Sequence, residues 1–225
     1  MTDVLLLHAE EPQTQSFVGM MPPLGLAWLA SSLEAAGIGV EILDRQVDPR
    51  SFTDVFRQAR PKILGVSTTT AARFQAFHYA AEAKRLAPET VVVFGGSHAT
   101  CTPRDTLAHL AQVDAVVAGE GEATLLELAR RVLDGGRDLA GIPGLWHRRD
   151  GEIIAGPPRS RERDLDSLGL PARHLLPNPL YRLENEFLGG AAFHIMASRG
   201  CPFACAFCSA AKIWGHHITY RTPRH

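Results

Sequence analysis

Short apolar runs alternate with segments of helical periodicity between residues 3 and 135. The runs have the length and composition that are typical of strands buried on both faces of a parallel sheet. They occupy positions 4–7, 40–43, 63–66, 91–94 and 115–118. This pattern predicts five strands in the core of one domain.

The segments between these runs repeat their apolar residues every three or four positions, as amphipathic helices do. The first segment lies between Pro22-Pro23 and Gly37, and helices favour proline at their start and glycine at their end. The repeating residues are Leu26, Leu29, Ala30 and Leu33, then Phe74, Phe77 and Ala81, and then Leu125, Leu128, Ala129 and Val132. Alternating strands and helices predict an α/β fold with a doubly wound, five-stranded parallel sheet of the flavodoxin-like type.

The pattern changes after residue 140. Residues 144–154 favour a β-hairpin with an Asp150-Gly151 turn. Residues 155–185 are rich in proline and arginine, which is typical of a linker, and residues 191–197 predict a further strand. We therefore expect a Rossmann-like domain over 1–140, a hairpin and linker over 141–188, and the start of a second domain over 189–225.

Three loops follow predicted strands and contain residues that suit ligand contact. Ligands of a doubly wound sheet bind at the carboxyl ends of its strands. Paired glycines let a backbone approach a ligand closely, and exposed N–H groups can face an anion. The same residue types also cap helices and form turns, so each loop taken alone leaves both roles open. The candidates are Ser67, Thr68 and Thr69, then Gly95, Gly96, Ser97 and His98, and then Gly119, Glu120 and Gly121.

Composition and charge narrow the class of protein. The chain has 225 residues, of which 45% are hydrophobic, and it balances 23 basic against 24 acidic side chains. Such a balance argues against a dedicated nucleic-acid-binding protein. The N-terminus lacks the basic and apolar segments of a signal peptide, and no apolar run is long enough to span a membrane. The sequence therefore predicts a cytoplasmic protein without a membrane partner.

Three of the four cysteines lie close together as Cys201, Cys205 and Cys208. This C-x3-C-x2-C spacing lets one loop direct three thiolates at a common centre, and thiolates suit iron–sulfur clusters and zinc. His216 or His217 would complete a tetrahedral Cys3His zinc site. A disulfide is disfavoured, because three neighbouring cysteines cannot all pair and the predicted compartment is reducing. The cysteine spacing alone does not decide between an iron–sulfur cluster and a zinc site.

The cysteine string, with Ser198-Arg199-Gly200 before it and Phe207 inside it, resembles the cluster loop of radical S-adenosylmethionine (SAM) enzymes. The resemblance implies that the three cysteines ligate a [4Fe-4S] cluster whose fourth iron binds SAM. It implies reductive cleavage of SAM to a 5′-deoxyadenosyl radical, and a Phe207 ring that shields the cluster and faces adenine. It also implies an electron donor such as flavodoxin or ferredoxin, and a small-molecule substrate.

The loops of the first domain are similar to those of the cobalamin-binding domain in B12-dependent radical SAM enzymes. The similarity lies in Pro22-Pro23-Leu24-Gly25-Leu26, in Gly95 to Thr100 and in Gly119 to Glu122. It implies a cobalamin whose nucleotide tail is held off the metal, near Gly95 and Gly96. The loop from His8 to Pro12 lacks the Asp-x-His-x-x-Gly sequence that supplies cobalt with a histidine in other cobalamin enzymes. His98 is the nearest imidazole to this region.

The resemblance implies methyl transfer or ring closure on an unknown substrate, catalysed within a partial α/β barrel. Too few residues follow Cys208 to complete a barrel of strand–helix repeats, so we expect an incomplete active site and assign no catalytic residue. Two alternatives remain: a cobalamin- or cluster-binding module without turnover, and a zinc-stabilised Rossmann-like structural protein. A dinucleotide site would use Asp44 for ribose, but no Gly-x-Gly-x-x-Gly follows the first strand.

Overall fold

The structure is a computed structural model that describes residues 2–11, 21–183, 190–191 and 193–223. Its centre is a seven-stranded sheet with strand order β2-β1-β3-β4-β5-β6-β7. The strands are β1 Val4–His8, β2 Val40–Asp44, β3 Ile63–Ser67, β4 Val91–Gly95, β5 Ala115–Val117, β6 Leu145–Arg149 and β7 Glu152–Ala155. The first five are parallel, which confirms the predicted doubly wound sheet.

Helices cover both faces of this sheet. They are α1 Leu24–Ala35, α2 Phe52–Ala59, α3 Arg73–Leu86, α4 Gly96–Cys101, α5 Pro103–His109 and α6 Glu122–Leu133, and a further short helix, α7 Ala210–Trp214, follows the cysteines. Because side chains alternate along a strand, Leu6 of β1 packs in one core with α1 and α6, and Leu5 packs in the other with α2 and α3. None of the helices in the described residues is long and apolar enough to cross a membrane.

The predicted hairpin extends the sheet rather than standing apart from it. β6 pairs antiparallel with β5, and β7 pairs antiparallel with β6. Asp150 and Gly151 form the turn with φ angles of 53° and 84°, the positive values that a two-residue hairpin turn favours. The sheet therefore gains two antiparallel strands beyond the five that the apolar runs predict.

Helix α3 is confirmed, but its buried face differs from the apolar positions that predicted it. Phe74 is 66% exposed and lies under the guanidinium of Arg73, with 4.1 Å between Cζ and the ring centroid. The face on the sheet is formed by Ala76, Ala80 and Ala83 with Tyr79. Small side chains let a helix approach a sheet closely, and of the two predicted phenylalanines only Phe77 packs against this core, where its ring stacks on Phe94 of β4.

The segment after the hairpin returns across α1. It contains three 3₁₀ turns, Leu165–Leu168, Arg173–Leu175 and Asn178–Leu180. The Ala172 N–H donates to the Ala27 carbonyl at 2.9 Å, and Tyr181 is 1% exposed. The predicted linker is therefore packed against the first domain.

The strand predicted over 191–197 is present only in part. Residues 193–197 have no regular secondary structure, and Ala192, like Pro12 of the loop after β1, lies outside the described residues. Short pairs flank this segment: β8 Arg182–Leu183 with β9 Gly190–Ala191, and β10 Ser198–Arg199 with β11 Thr219–Tyr220. A strand forms only where a neighbouring segment supplies hydrogen bonds. For β10 that neighbour is β11, which follows the cysteines and pairs with it antiparallel.

Candidate functional site

A crevice of about 250 Å³ opens at the carboxyl ends of β1, β3, β4 and β5, between α1 and α6. Its deep part is apolar and is lined by Leu6, Leu26, Leu29, Val93 and Leu125. Its mouth carries the glycines and hydroxyl groups of the loops that follow the strands. A mostly apolar crevice with a polar rim suits a ligand that has an apolar portion and a polar remainder.

The glycine at the start of α4 allows two loops to meet at this mouth. Gly96 has a φ angle of +89°, and a Cβ atom placed on it would lie 2.7 Å from the Thr68 carbonyl oxygen and 2.9 Å from the Thr68 nitrogen. Backbone bonds join the loops, because Thr68 N–H donates to Gly95 O at 2.9 Å and His98 N–H donates to Thr68 O at 3.1 Å. The two loops are therefore held together at the mouth by their backbones.

The crevice brings together most of the candidate residues from the three loops. Ser67, Gly95, Gly96, Ser97, Gly119, Glu120 and Gly121 all line it. Thr68 does not, because its buried hydroxyl donates to Gly95 O at 2.9 Å. Thr69 lies near the start of α3, where its hydroxyl accepts from Ala72 N–H at 3.2 Å and donates to Glu11. These two threonines support the loops from outside the crevice.

His98 also lies outside the crevice lining. It belongs to the first turn of α4, in a segment that the sequence predicts as a loop. Its Nδ1 is 3.1 Å from the Thr70 hydroxyl. Burial, with a smaller contribution from the positive charge of Arg73, lowers the pKa of His98. The imidazole is therefore held neutral at neutral pH.

The opposite side of the crevice is formed by residues that the sequence patterns do not predict. Trp28 of α1 lies on one side, and Met196, Arg199, Ile213 and Trp214 come from the segments that flank the cysteine loop. Ile213 and Trp214 belong to α7, which begins two residues after Cys208. The crevice is thus bounded both by the sheet and by the surroundings of the cysteines.

Arg199 joins these two sides. Its side chain is 4% exposed, and Nη2 lies 2.5 Å from Glu122 Oε1 while Nη1 lies 3.4 Å from Glu120 Oε1. The guanidinium carbon is 5.2 Å from the ring centroid of Trp28 and 5.7 Å from that of Trp214. Both glutamates belong to the loop and helix start after β5.

The cysteine loop lies at the surface beside this arginine. Cys201 is half-buried, Cys205 and Cys208 are exposed, and all three thiols are free. Cys208 N–H donates to Cys205 O at 3.1 Å, which closes a turn, and Phe207 between them is 93% exposed. In the part of the chain that the structure describes, no three His, Cys, Asp or Glu side chains converge on one point. Three free thiols within one loop nevertheless provide the donor set that a cluster requires.

Asp44 is already occupied within the protein. It is 1% exposed, its Oδ1 is 3.0 Å from His8 Nδ1, and its Oδ2 accepts from the Tyr181 hydroxyl at 2.9 Å. Burial and the neighbouring Asp44 charge raise the pKa of Tyr181, which stays a donor. With both oxygens engaged, Asp44 has no free acceptor for a ribose, and this geometry argues against a dinucleotide site.

The fold is thus an α/β sheet with a crevice at the carboxyl ends of its strands, lined in part by residues that flank a three-cysteine loop. Residues 13–129 match the family model described as the B12 binding domain. The chain is 37% identical to an uncharacterised methyltransferase of Pyrococcus horikoshii, with 97% of this chain and 48% of that protein covered. The chain belongs to the B12-binding family, and its relatives include a cobalamin-dependent radical SAM methyltransferase.

Two further proteins are similar to this chain. The chain is 32% identical to the anaerobic magnesium-protoporphyrin IX monomethyl ester cyclase of Rubrivivax gelatinosus, over 87% of this chain and 36% of that one. The cobalamin-dependent SAM radical enzyme OxsB, solved with aqua-cobalamin and SAM, shares the fold with a TM-score of 0.74 at 18% identity, over 98% of this chain and 30% of that one. The chain spans about half, or less, of the length of these relatives.

Proposed function

We propose that this chain binds cobalamin in the crevice and a [4Fe-4S] cluster with SAM at Cys201, Cys205 and Cys208. It would thereby form the cofactor-binding part of a radical SAM methyltransferase or cyclase. The observation that carries the proposal is that one crevice is lined both by the glycine loops of the B12-binding domain and by residues flanking the cysteine loop. Two cofactors bound there would share one reaction space.

The crevice fits the requirements of cobalamin. Its apolar depth would take the flat nucleotide base of the tail, and the hydroxyls of Ser67 and Ser97 at its mouth would face the polar groups. The crevice lining in the described residues contains no histidine. We therefore propose that the cobalt receives no imidazole from this part of the protein.

The cysteine loop fits a cluster that keeps one iron open, because three thiolates leave one position for SAM. When bound, the cluster with SAM would supply the 5′-deoxyadenosyl radical and cobalamin would supply the methyl group. Phe207 would cover the cofactors from water, since its exposed ring stands between two of the cysteines. A reduced donor such as flavodoxin or ferredoxin and a small-molecule substrate would complete the system.

Anaerobic reconstitution with iron and sulfide tests the cluster assignment. We expect about four irons per chain and a thiolate-to-iron absorption band. The triple variant Cys201→Ser, Cys205→Ser, Cys208→Ser should lose both signals. Cys101→Ser is the matched control, because Cys101 lies at the end of α4, outside the loop, and this variant should retain them. Bound zinc without the absorption band would contradict the proposal and favour a Cys3His zinc site with His216 or His217.

Cobalamin binding is tested separately with hydroxocobalamin. After desalting, we expect about one cobalamin per chain to remain with the protein, as a single crevice would hold. A colourless protein fraction would contradict the assignment of the crevice without affecting the cluster result.

A further inference from the structure

Arg199 has a position that neither cofactor site alone explains. It stands two residues before Cys201, yet its side chain is inserted between α1 and the start of α6 in the first domain. Its two carboxylate partners, Glu120 and Glu122, are 79 and 77 residues away in sequence. This one side chain therefore links the base of the cysteine loop to the crevice loop after β5.

The burial of this cluster makes the link strong. The side chains of Arg199, Glu120 and Glu122 are 4%, 8% and 10% exposed. Removing one member of a buried charge network leaves the others uncompensated, which costs far more than breaking a surface ion pair. Glu120 is also fixed from the other side, because its Oε2 accepts from Glu162 N–H at 2.6 Å. The arginine is thus held in one geometry.

The backbone between Arg199 and Cys201 is also constrained. Gly200, between Arg199 and Cys201, has a φ angle of +105°, and a Cβ atom there would lie 1.9 Å from the His217 carbonyl oxygen. The Arg161 guanidinium donates to that same oxygen at 2.7 Å and to Arg199 O at 3.3 Å. Glycine is therefore required where the chain leaves β10 toward Cys201, and the contact with His217 fixes this step of the backbone.

We propose that Arg199 is a positioning residue that couples the cobalamin crevice to the cluster loop through its ion pairs with Glu120 and Glu122. Glu120 and its neighbours Gly119 and Gly121 line the crevice, so a ligand there contacts the loop that holds Arg199. Coupling of this kind is reciprocal: cobalamin orders the cluster loop, and the loaded loop tightens the crevice. The inference rests on the proposed function for the identity of the ligand, but the link itself is a property of the protein alone.

Hydrogen–deuterium exchange of the cofactor-free chain tests the link. Arg199→Gln should raise the exchange of residues 197–215 by about fivefold or more, because the loop loses its anchor, and should leave residues 91–95 of β4 unchanged. Arg199→Lys, which keeps one charge, should restore part of the protection. Arg149→Gln is the control, since Arg149 also pairs with carboxylates but is 53% exposed. Wild-type exchange in Arg199→Gln would overturn the proposal.

The coupling is tested by repeating the exchange with hydroxocobalamin. In the wild type, cobalamin should protect both the crevice loops and residues 197–215. Because Arg199 also lines the crevice, Arg199→Gln is compared at a cobalamin concentration that saturates this variant. Residues 95–100 should then be protected, while protection of residues 197–215 is lost. Equal protection in the two proteins would overturn the coupling. Glu122→Gln serves as a second variant if Arg199→Gln does not fold. Failure of the wild type to bind cobalamin would contradict the proposed function, and the cofactor-free comparison would still decide the link.

Discussion

Gly96 determines both the local backbone conformation and the access of a ligand to the crevice mouth. We predict that Gly96→Ala lowers the free energy of unfolding and abolishes cobalamin binding, because its methyl group would displace the Thr68 backbone from the crevice mouth. Gly37 is the matched control: its φ angle is +75°, and nothing lies within 4 Å of an added Cβ.

Denaturant titration separates the two effects. Gly37→Ala should lose roughly 1–2 kcal/mol from the positive φ angle alone. Gly96→Ala should lose about 1–3 kcal/mol more, from overpacking. Equal losses, with cobalamin still bound by Gly96→Ala, would contradict this account of the mouth.

Unlike Gly96, His98 should have little effect on cobalamin binding. It lies outside the crevice lining, so His98→Gln should change the affinity for cobalamin by less than about twofold. An affinity loss of about tenfold or more would show that the imidazole reaches the ligand. Equilibrium dialysis with hydroxocobalamin measures this.

The lowered pKa of His98 makes a separate prediction about pH. Because the folded protein disfavours the charged imidazole, its contribution to stability is present at neutral pH and is lost as the pH falls below about 6.5, the unfolded value. NMR titration of the folded protein should give a midpoint below that of a free histidine. A raised midpoint would contradict the assigned surroundings.

The sequence predicts which loops line the crevice better than it predicts which individual side chains do. Ser67, Gly95, Gly96 and Gly121 line the crevice as expected, because residues after parallel strands share one edge of the sheet. Arg199 could not be predicted as a crevice residue, since its partners lie far away in sequence and no local pattern marks the pairing.

Among the elements, the hairpin at the sheet edge makes a clear prediction. Gly151 has a φ angle of 84°, so Gly151→Ala should lower the free energy of unfolding by about 1–2 kcal/mol. Asp150→Asn is the control, because asparagine accepts a positive φ in such turns, and this variant should lose less than about 0.5 kcal/mol. Thermal denaturation of both variants checks this, and equal losses would contradict the assigned turn.

The sequence predicts the type of an element correctly where its apolar pattern is long. It does not predict which face of a helix is buried or how a short strand pairs. The five apolar runs became parallel strands because both faces of each are buried. The buried face of α3 was not predictable from hydrophobicity alone, since alanines contact the sheet and Phe74 does not. Residues 193–197 lack the predicted strand pairing because a strand depends on neighbours that no local pattern specifies.

At the scale of the whole molecule, the main finding is that the segments flanking the cysteine loop form one side of the crevice of the first domain. The sequence separates these parts by a linker of proline-rich turns and gives no signal for how they pack. The packing is set by burial of Trp28, Tyr181 and Arg199 between the two parts. Cobalamin and the cluster, if bound as proposed, therefore lie close to each other.

Electron paramagnetic resonance of the doubly loaded chain tests that claim most directly. Cob(II)alamin and the reduced cluster are both paramagnetic, so neighbouring sites must couple through their magnetic dipoles. We predict that reducing the cluster speeds the relaxation of the cob(II)alamin signal, and that the triple cysteine-to-serine variant shows no such change. An unaltered cob(II)alamin signal at full occupancy of both cofactors would contradict the account.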